Sequence, residues 1–315
     1  MKDLKIYLSV CILLSIVFSS CKEEPPYINY TKPQSVFDTT YIKTPVDLTQ
    51  PKEILIEDVS GPVCPNCPQA ALIAKTLENA NPGRINVVTL YPNYPGLESL
   101  MKPINKPGYI SKYDFRTNDA ADIISSYPAA PSTLPVGYIN RKNFSGNFWF
   151  EPKENWNGDV ASELTATAPL NIEIVPTYNS SNNLLNVNVT VNYTKADSGS
   201  NYISVMILQD SIIDVQETKD ANNFDIYDSV YIHNHTLMDM LTAHTGDLLN
   251  NTPAKTLVPG RVFKIGYQKT LSARNSSPSS YPQPQWDPKQ ISILVFVTQD
   301  VTKKYVLQSK LVHLP

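Results

Sequence analysis

Two cysteines three residues apart, in Pro62-Val63-Cys64-Pro65-Asn66-Cys67-Pro68, constrain this 315-residue chain more than any other stretch. An apolar run, Ile54-Leu55-Ile56-Glu57-Asp58-Val59, and a Ser60-Gly61 break precede them. A helix-like segment, Gln69 to Asn79, follows. At a strand-to-helix junction the first thiol sits at a helix N-terminus, where a thiolate is stabilised. The second is near enough to bridge to it. Cys64 and Cys67 are thus both a candidate disulfide and a candidate redox pair, with Cys64 the attacking thiol and Cys67 the resolving one.

The amino terminus sets the compartment. Met1-Lys2-Asp3-Leu4-Lys5 is a short charged region, and Ile6 to Phe18 is an apolar core too short to span a bilayer comfortably. Val17-Phe18-Ser19-Ser20-Cys21 resembles a bacterial lipobox. Residues 1–21 then form a lipoprotein signal peptide ending at a lipidated Cys21, whose acyl chains, palmitate among them, anchor the protein in membrane lipid. An ordinary secretory signal with a chance cysteine is the competing reading. Lys22-Glu23-Glu24 resembles the lysine-plus-acidic signal of surface lipoproteins in the Bacteroidota, which favours the cell surface over a periplasm-facing position. Residues 22–50, proline-rich, read as a tether. Val36-Phe37 and Tyr41-Ile42 within it are candidate edge strands against the first domain.

In an exported protein a disulfide at rest is expected. One Cys-x-x-Cys supplies only two zinc ligands, and no second pair or finger-like histidine spacing completes a set, so no metal and no cofactor are expected. The net charge of -3 gives no basic excess, which argues against a nucleic-acid partner.

Residues 51–168 follow an α/β order. Ile54 to Val59 is a strand. Ala70 to Leu77 is helical, with Leu72, Ile73, Thr76 and Leu77 as the buried stripe. Arg84 to Tyr91 is a second strand, which implies a parallel crossover. Thr117 or Asn118 caps a further helix, and Val136, Tyr138 and Ile139 mark a strand after Ser132-Thr133-Leu134-Pro135. Phe144, Phe148, Trp149, Phe150 and Trp156 form an aromatic group, read first as packing. Trp149 and Trp156 are its candidate binding residues for peptide or glycan.

Near Pro169 the period changes to two. Leu170 to Pro176 and Leu185 to Tyr193 read as a hairpin, followed by strands at Tyr202 to Leu208, Val262 to Leu271, Ile291 to Gln299 and Tyr305 to Val312. A further edge strand is expected within Asp225 to Tyr231. Residues 169–315 are therefore expected to be an all-β, immunoglobulin-like sandwich. Leu237, Met240 and Leu241 share a helical face, so a short inserted helix is expected there. His233 and His235 just ahead of it are candidate binding residues. A metal site with Asp239 or His244 competes with plain hydrogen bonding to loop backbone.

Taken together, the lipobox at Cys21, the strand before the cysteines, Leu134-Pro135-Val136, and His233-Asn234-His235-Thr236-Leu237-Met238-Asp239-Met240-Leu241 with Gly246 beyond resemble the Omp28-related outer membrane lipoproteins of the Bacteroidota. The resemblance implies a thioredoxin-like domain followed by a β-rich one. In a thioredoxin-like fold a cis-proline loop lies against the cysteines, which makes Pro135 the candidate, with Pro131 and Pro128 as rivals. The chain departs from thioredoxin in having Val63 before the pair and Pro65-Asn66 within it. Glu57 and Asp58 are both candidates for the usual buried acid.

Two functions follow. One is a binding or structural lipoprotein of the outer membrane that keeps a thioredoxin-like scaffold and contacts an envelope protein or glycan. The other is a thiol–disulfide oxidoreductase or disulfide-dependent chaperone using Cys64 and Cys67, with Pro135 positioning the substrate.

Overall fold

The cysteine turn lies between a strand and a helix, in a computed structural model that describes residues 36–127, 129, 131–144, 146, 149–249, 256–274, 279–299 and 304–315. The expected signal peptide, the lipidation expected at Cys21, Lys22-Glu23-Glu24, Pro128, Phe148 and part of the loop after Arg274 lie outside the described residues.

In chain order the elements begin with β1 (Phe37–Ile42), β2 (Ile54–Val59), α1 (Cys67–Ala80), β3 (Ile85–Leu90), α2 (Glu98–Met101), β4 (Asn105–Lys106) and β5 (Tyr109–Ile110). They continue with α3 (Asn118–Ser125), β6 (Val136–Ile139), β7 (Glu151–Pro152), α4 (Trp156–Leu164), β8 (Leu170–Asn179), β9 (Leu184–Tyr193) and β10 (Asn201–Gln209). The last are β11 (Ile212–Lys219), β12 (Asp225–His233), β13 (Thr236–Met240), β14 (Asp247–Leu248), β15 (Arg261–Thr270), β16 (Ile291–Gln299) and β17 (Tyr305–His313). The protein is mostly β, with few helices and several sheets.

β2 and β3 pair in parallel, from Ile54 opposite Ile85 to Val59 opposite Leu90, and α1 makes the crossover. Every residue of both strands is buried, as expected for strands covered on two faces. β6 runs antiparallel to β2. Thr117 caps α3 by accepting from the Ala120 N–H at 3.1 Å.

The buried face of α1 is rotated from the expected stripe. Cys67, Ala70, Ala74 and Leu77 face the core, and Leu72 is 64% exposed. Small alanines let the helix approach Ile54, Ile56 and Val87 closely, and α4 joins the same layer through Trp156 and Val160.

One large sheet takes strands from both sides of Pro169, in the order β17-β16-β10-β13-β3-β2-β6-β7. The link between β13 and β3 is parallel, at Thr236 opposite Thr89, and the Thr89 N–H donates to the His235 carbonyl at 2.8 Å. The sheet curls. The Val306 N–H donates to the Asn140 carbonyl at 3.0 Å, which brings the start of β17 to the end of β6. Leu55, Val59, Leu90, Met206, Phe296 and the two cysteines share the core inside the curl. A second, antiparallel sheet, β1-β15-β9-β8, packs its apolar side on the opposite face of β10 and β16.

Two expectations are corrected. The segment around residues 36–42 is a single strand, and its partner is β15 rather than the first α/β strands. The inserted helix expected at Leu237 to Leu241 is the buried strand β13. The cause is a bulge: Leu208 faces Leu237, but the next residue back, Ile207, faces Asp239. The extra residue restores Leu237 and Met240 to the same core although they are three apart, which imitates helical spacing. The edge strand sought within Asp225 to Tyr231 is β12, which pairs with β11 in a separate hairpin.

Candidate functional site

The cysteine turn is held from several directions. The Ser60 N–H donates to Leu90 O, Val63 N–H to Leu100 O, Cys64 N–H to Gly61 O and Cys67 N–H to Cys64 O, all at 3.0–3.1 Å. Gly61 has no room for a side chain, since a Cβ there would lie 2.3 Å from the Leu100 carbonyl oxygen. Cys64 and Cys67 form a disulfide with Cα atoms 5.4 Å apart. Each is only 2% exposed, and they pack with Leu97, Met101, Leu134 and Val136. Pro135, between the last two, is half-buried, and the Leu134–Pro135 bond is cis. Only Asn66 of the turn faces solvent fully.

β11 covers this turn. The Glu217 N–H donates to Pro62 O at 2.8 Å. The buried Gln216 amide lies between Gly61 O at 3.1 Å, Cys64 O at 3.2 Å and Glu217 O at 2.8 Å. No sequence signal marks Gln216, because the turn carbonyls it reaches, Gly61 O and Cys64 O, are more than 150 residues away.

The two acids of β2 point to opposite faces. Glu57 is tied inside the curl. Its carboxylate accepts from Arg141 Nη2 at 2.6 Å, Arg141 Nε at 2.9 Å and the Tyr127 hydroxyl at 2.7 Å. The Arg141 guanidinium lies 4.6 Å from the Phe296 ring centre and 5.0 Å from that of Tyr127.

Asp58 faces the α1 side and is 1% exposed, with Oδ1 unpartnered. Burial pushes its carboxyl up to about 7, and His235 only partly opposes this. It lines a cleft of about 520 Å³ between α1 and β12, along with Tyr91, Tyr231, His233, His235 and Lys75.

His233 and His235 both border this cleft but differ in character. His233 is 1% exposed. Its Nδ1 is 2.9 Å from the Tyr91 hydroxyl, its ring centre is 4.3 Å from that of Phe115, and its Nε2 has no partner. Burial holds it neutral by lowering its pKa to about 3. His235 sits 3.4 Å from both Glu78 and Asp210. Burial opposes its charge, but these acids outweigh that effect and raise its pKa.

The other metal-ligand candidates are engaged elsewhere: Asp239 pairs with Lys269 at 2.7 Å, and His244 lies 3.9 Å from Asp122. Among the described residues no three His, Cys, Asp or Glu side chains are placed to hold a metal ion. Trp149 is half-buried, stacked 5.5 Å from Tyr305. Trp156 is corrected from binding residue to core residue. It is 0% exposed, donates from Nε1 to Glu151 O at 3.0 Å, and packs against Gly137. Tyr91 and Tyr231 were not singled out by the sequence.

Fold and site thus define a mostly β, multi-sheet protein with a covered disulfide and a cleft floored by polar side chains. The family model for outer membrane protein Omp28 matches residues 125–313, more than half of the sequence, and the chain belongs to that family. The match supports an outer membrane location. It includes Leu134-Pro135-Val136 and the His233 to Gly246 segment, and it begins after Cys67. No curated protein matches the chain. Among solved structures, an X-ray structure of a protein from Agrobacterium tumefaciens is similar, with a TM-score of 0.48, 8% identity, and coverage of 84% of this chain and 96% of that one. Among the described residues no helix is long and apolar enough to cross a membrane.

Proposed function

We propose that this protein is an outer membrane lipoprotein, anchored through Cys21, that serves as a binding or structural module. In this reading residues 51–168 are a thioredoxin-like frame and residues 169–315 an immunoglobulin-like sandwich, both extending into the one shared sheet. The parallel β2-α1-β3 unit, with Cys64 and Cys67 at the start of α1, supports the first assignment. The face-to-face packing of β8, β9 and β15 on β10 and β16 supports the second.

The observation that carries the reading is the covered disulfide. An exchange catalyst presents its attacking sulfur to a partner protein. Here both cysteines are 2% exposed beneath a strand that bonds the Pro62 and Cys64 carbonyls. The disulfide then serves as a staple at the helix start, and partners meet the outer faces of the protein, from the cell surface or the periplasm.

The alternative, exchange through Cys64 with Cys67 resolving and Pro135 positioning a substrate, draws on Asp58. Asp58 is a buried acid whose carboxyl is pushed up to about 7, and it lies six residues before Cys64 in the chain. Trapping separates the two. With Cys67→Ala expressed in the native envelope, the staple reading expects no mixed disulfide through Cys64. A captured envelope protein would establish exchange. Acyl labelling that is lost in Cys21→Ala, and proteolysis of intact cells, test the anchor and its exposure.

A further inference from the structure

The cleft between α1 and β12 contains two polar atoms with no partner: the Asp58 carboxylate oxygen Oδ1 and the His233 imidazole nitrogen Nε2. Asp58 and His233 are each 1% exposed. Buried polar groups in folded proteins are almost always paired, so two orphans in one cleft mark a place built for something else.

We propose that this cleft binds a primary alkylammonium group, with the Asp58 carboxylate as counter-ion, the Tyr91 and Tyr231 rings beside the ammonium, and Leu72, Val230 and Ile232 along the alkyl stem. The cleft borders the covered turn through Ser60, Pro68 and Gln216, but the proposal does not rest on the disulfide's role.

Charge favours a cation. Asp58 and Asp228 line the cleft against Lys75 alone, because His235 is already matched by Glu78 and Asp210. Hydrogen-bond chemistry agrees. The ionised Asp58 Oδ1 is an acceptor, and in the tautomer that carries its proton on Nδ1 the His233 Nε2 is one too. An ammonium brings three donors, an alcohol one and a carboxylate none. The walls fit as well. The Tyr231 and Tyr91 ring centres lie 4.9 Å and 6.0 Å from that of His233, and aromatic faces attract organic cations. At the mouth Leu72, Val230 and Ile232 are 64%, 69% and 51% exposed, an apolar rim around a polar floor.

The groups facing Asp58 are Tyr91 from the end of β3, Tyr231 and Asp228 from β12, His233 and His235 from the end of the hairpin, and Lys75 from α1. Tyr91 and Tyr231 are pushed up by burial and stay uncharged. Since burial holds Asp58 near 7, binding a cation displaces its proton. Affinity is expected to be about tenfold weaker at pH 6 than at pH 8.

The test titrates the purified full-length protein with n-butylammonium and with Nα-acetyl-lysine methylamide, with n-butanol and butyramide as uncharged controls, by chemical-shift perturbation. Saturable binding of both cations, at least tenfold tighter than the controls and at least tenfold weaker in Asp58→Asn, is expected. Binding of the lysine derivative alone supports the site with a lysine side chain as the source of the amine. Equal binding of the alcohol or amide, no binding of either cation, or binding unaffected by Asp58→Asn overturns the proposal. Should that variant fail to fold, the Asp58 carboxyl titration in the unmodified protein decides. Saturating n-butylammonium lowers its pKa by a unit or more, and an unchanged value overturns the assignment.

Discussion

The side-chain amide of Gln216 lies 3.2 Å from the carbonyl oxygen of Cys64, across 152 residues of chain. The same amide reaches Gly61 O, while the backbone of the next residue, Glu217, donates to Pro62 O. A strand from the C-terminal half therefore holds down the turn that carries the disulfide. This contact accounts for how a Cys-x-x-Cys at a helix start comes to be buried.

Removing that amide is the simplest check on the cover. Gln216→Ala leaves the Gly61 and Cys64 carbonyls without this donor in a buried place, which costs about 1–3 kcal/mol. Urea unfolding measures the loss. The rate of disulfide reduction by dithiothreitol in the native state is expected to rise in the same variant. An unchanged rate would mean that β11 does not control access to the turn.

Glu57 and Arg141 are 0% and 3% exposed, so neither charge has water to fall back on. Glu57→Gln leaves the Arg141 guanidinium buried without its counter-ion, with an expected cost of about 3–5 kcal/mol. Exchanging Tyr127 for Phe removes only the hydroxyl bond to Glu57 and is expected to cost about 1 kcal/mol. Chemical denaturation of the two variants side by side tests the order.

Asp58 and His233 titrate with opposite consequences. Folding raises the Asp58 carboxyl from 3.8 to about 7, so its contribution is present at low pH and is lost as pH rises from about 4 to 7. Folding lowers His233 from 6.5 to about 3, so its contribution is present above 6.5 and is lost as pH falls toward 3. Between pH 4 and 6.5 the two slopes oppose each other. Asp58→Asn removes one of them. The stability of the variant relative to the parent is therefore expected to climb between pH 4 and 7, by up to roughly 1.4 kcal/mol per pH unit. A flat difference in urea-unfolding free energies over that range would contradict a protonated buried acid.

Gly137 and Trp156 test the α4 layer. A Cβ on Gly137 would stand 2.4 Å from Trp156 Cζ2 in a fully packed core. Gly137→Ala is expected to lose about 1–3 kcal/mol. Pairing it with Trp156→Phe, which vacates the contested space, should bring the combined loss below the sum of the two single losses. Thermal melts of the three variants measure it.

Much of the first α/β unit was legible in the sequence, because its signals are local. The Ile54 to Val59 run and the Thr117 cap each announce an element within a few residues. The orientation of β2 was not legible. Alternation separates Glu57 from Asp58, but only the packing of α1 decides which face it covers. β13 was misread because its bulge shifts Met240 onto the same side as Leu237. The cleft was hidden for a related reason. Its floor comes from β2 and β3 and its roof from β12, and these meet only through pairings such as Thr89 with His235.

The reduction potential of the Cys64–Cys67 disulfide, measured in the folded protein against dithiothreitol redox buffers, tests the central claim most directly. A buried staple under β11 is expected to have a potential below about −300 mV, as structural disulfides of secreted proteins do. A value between about −270 and −120 mV, the range of exchange catalysts, would contradict it.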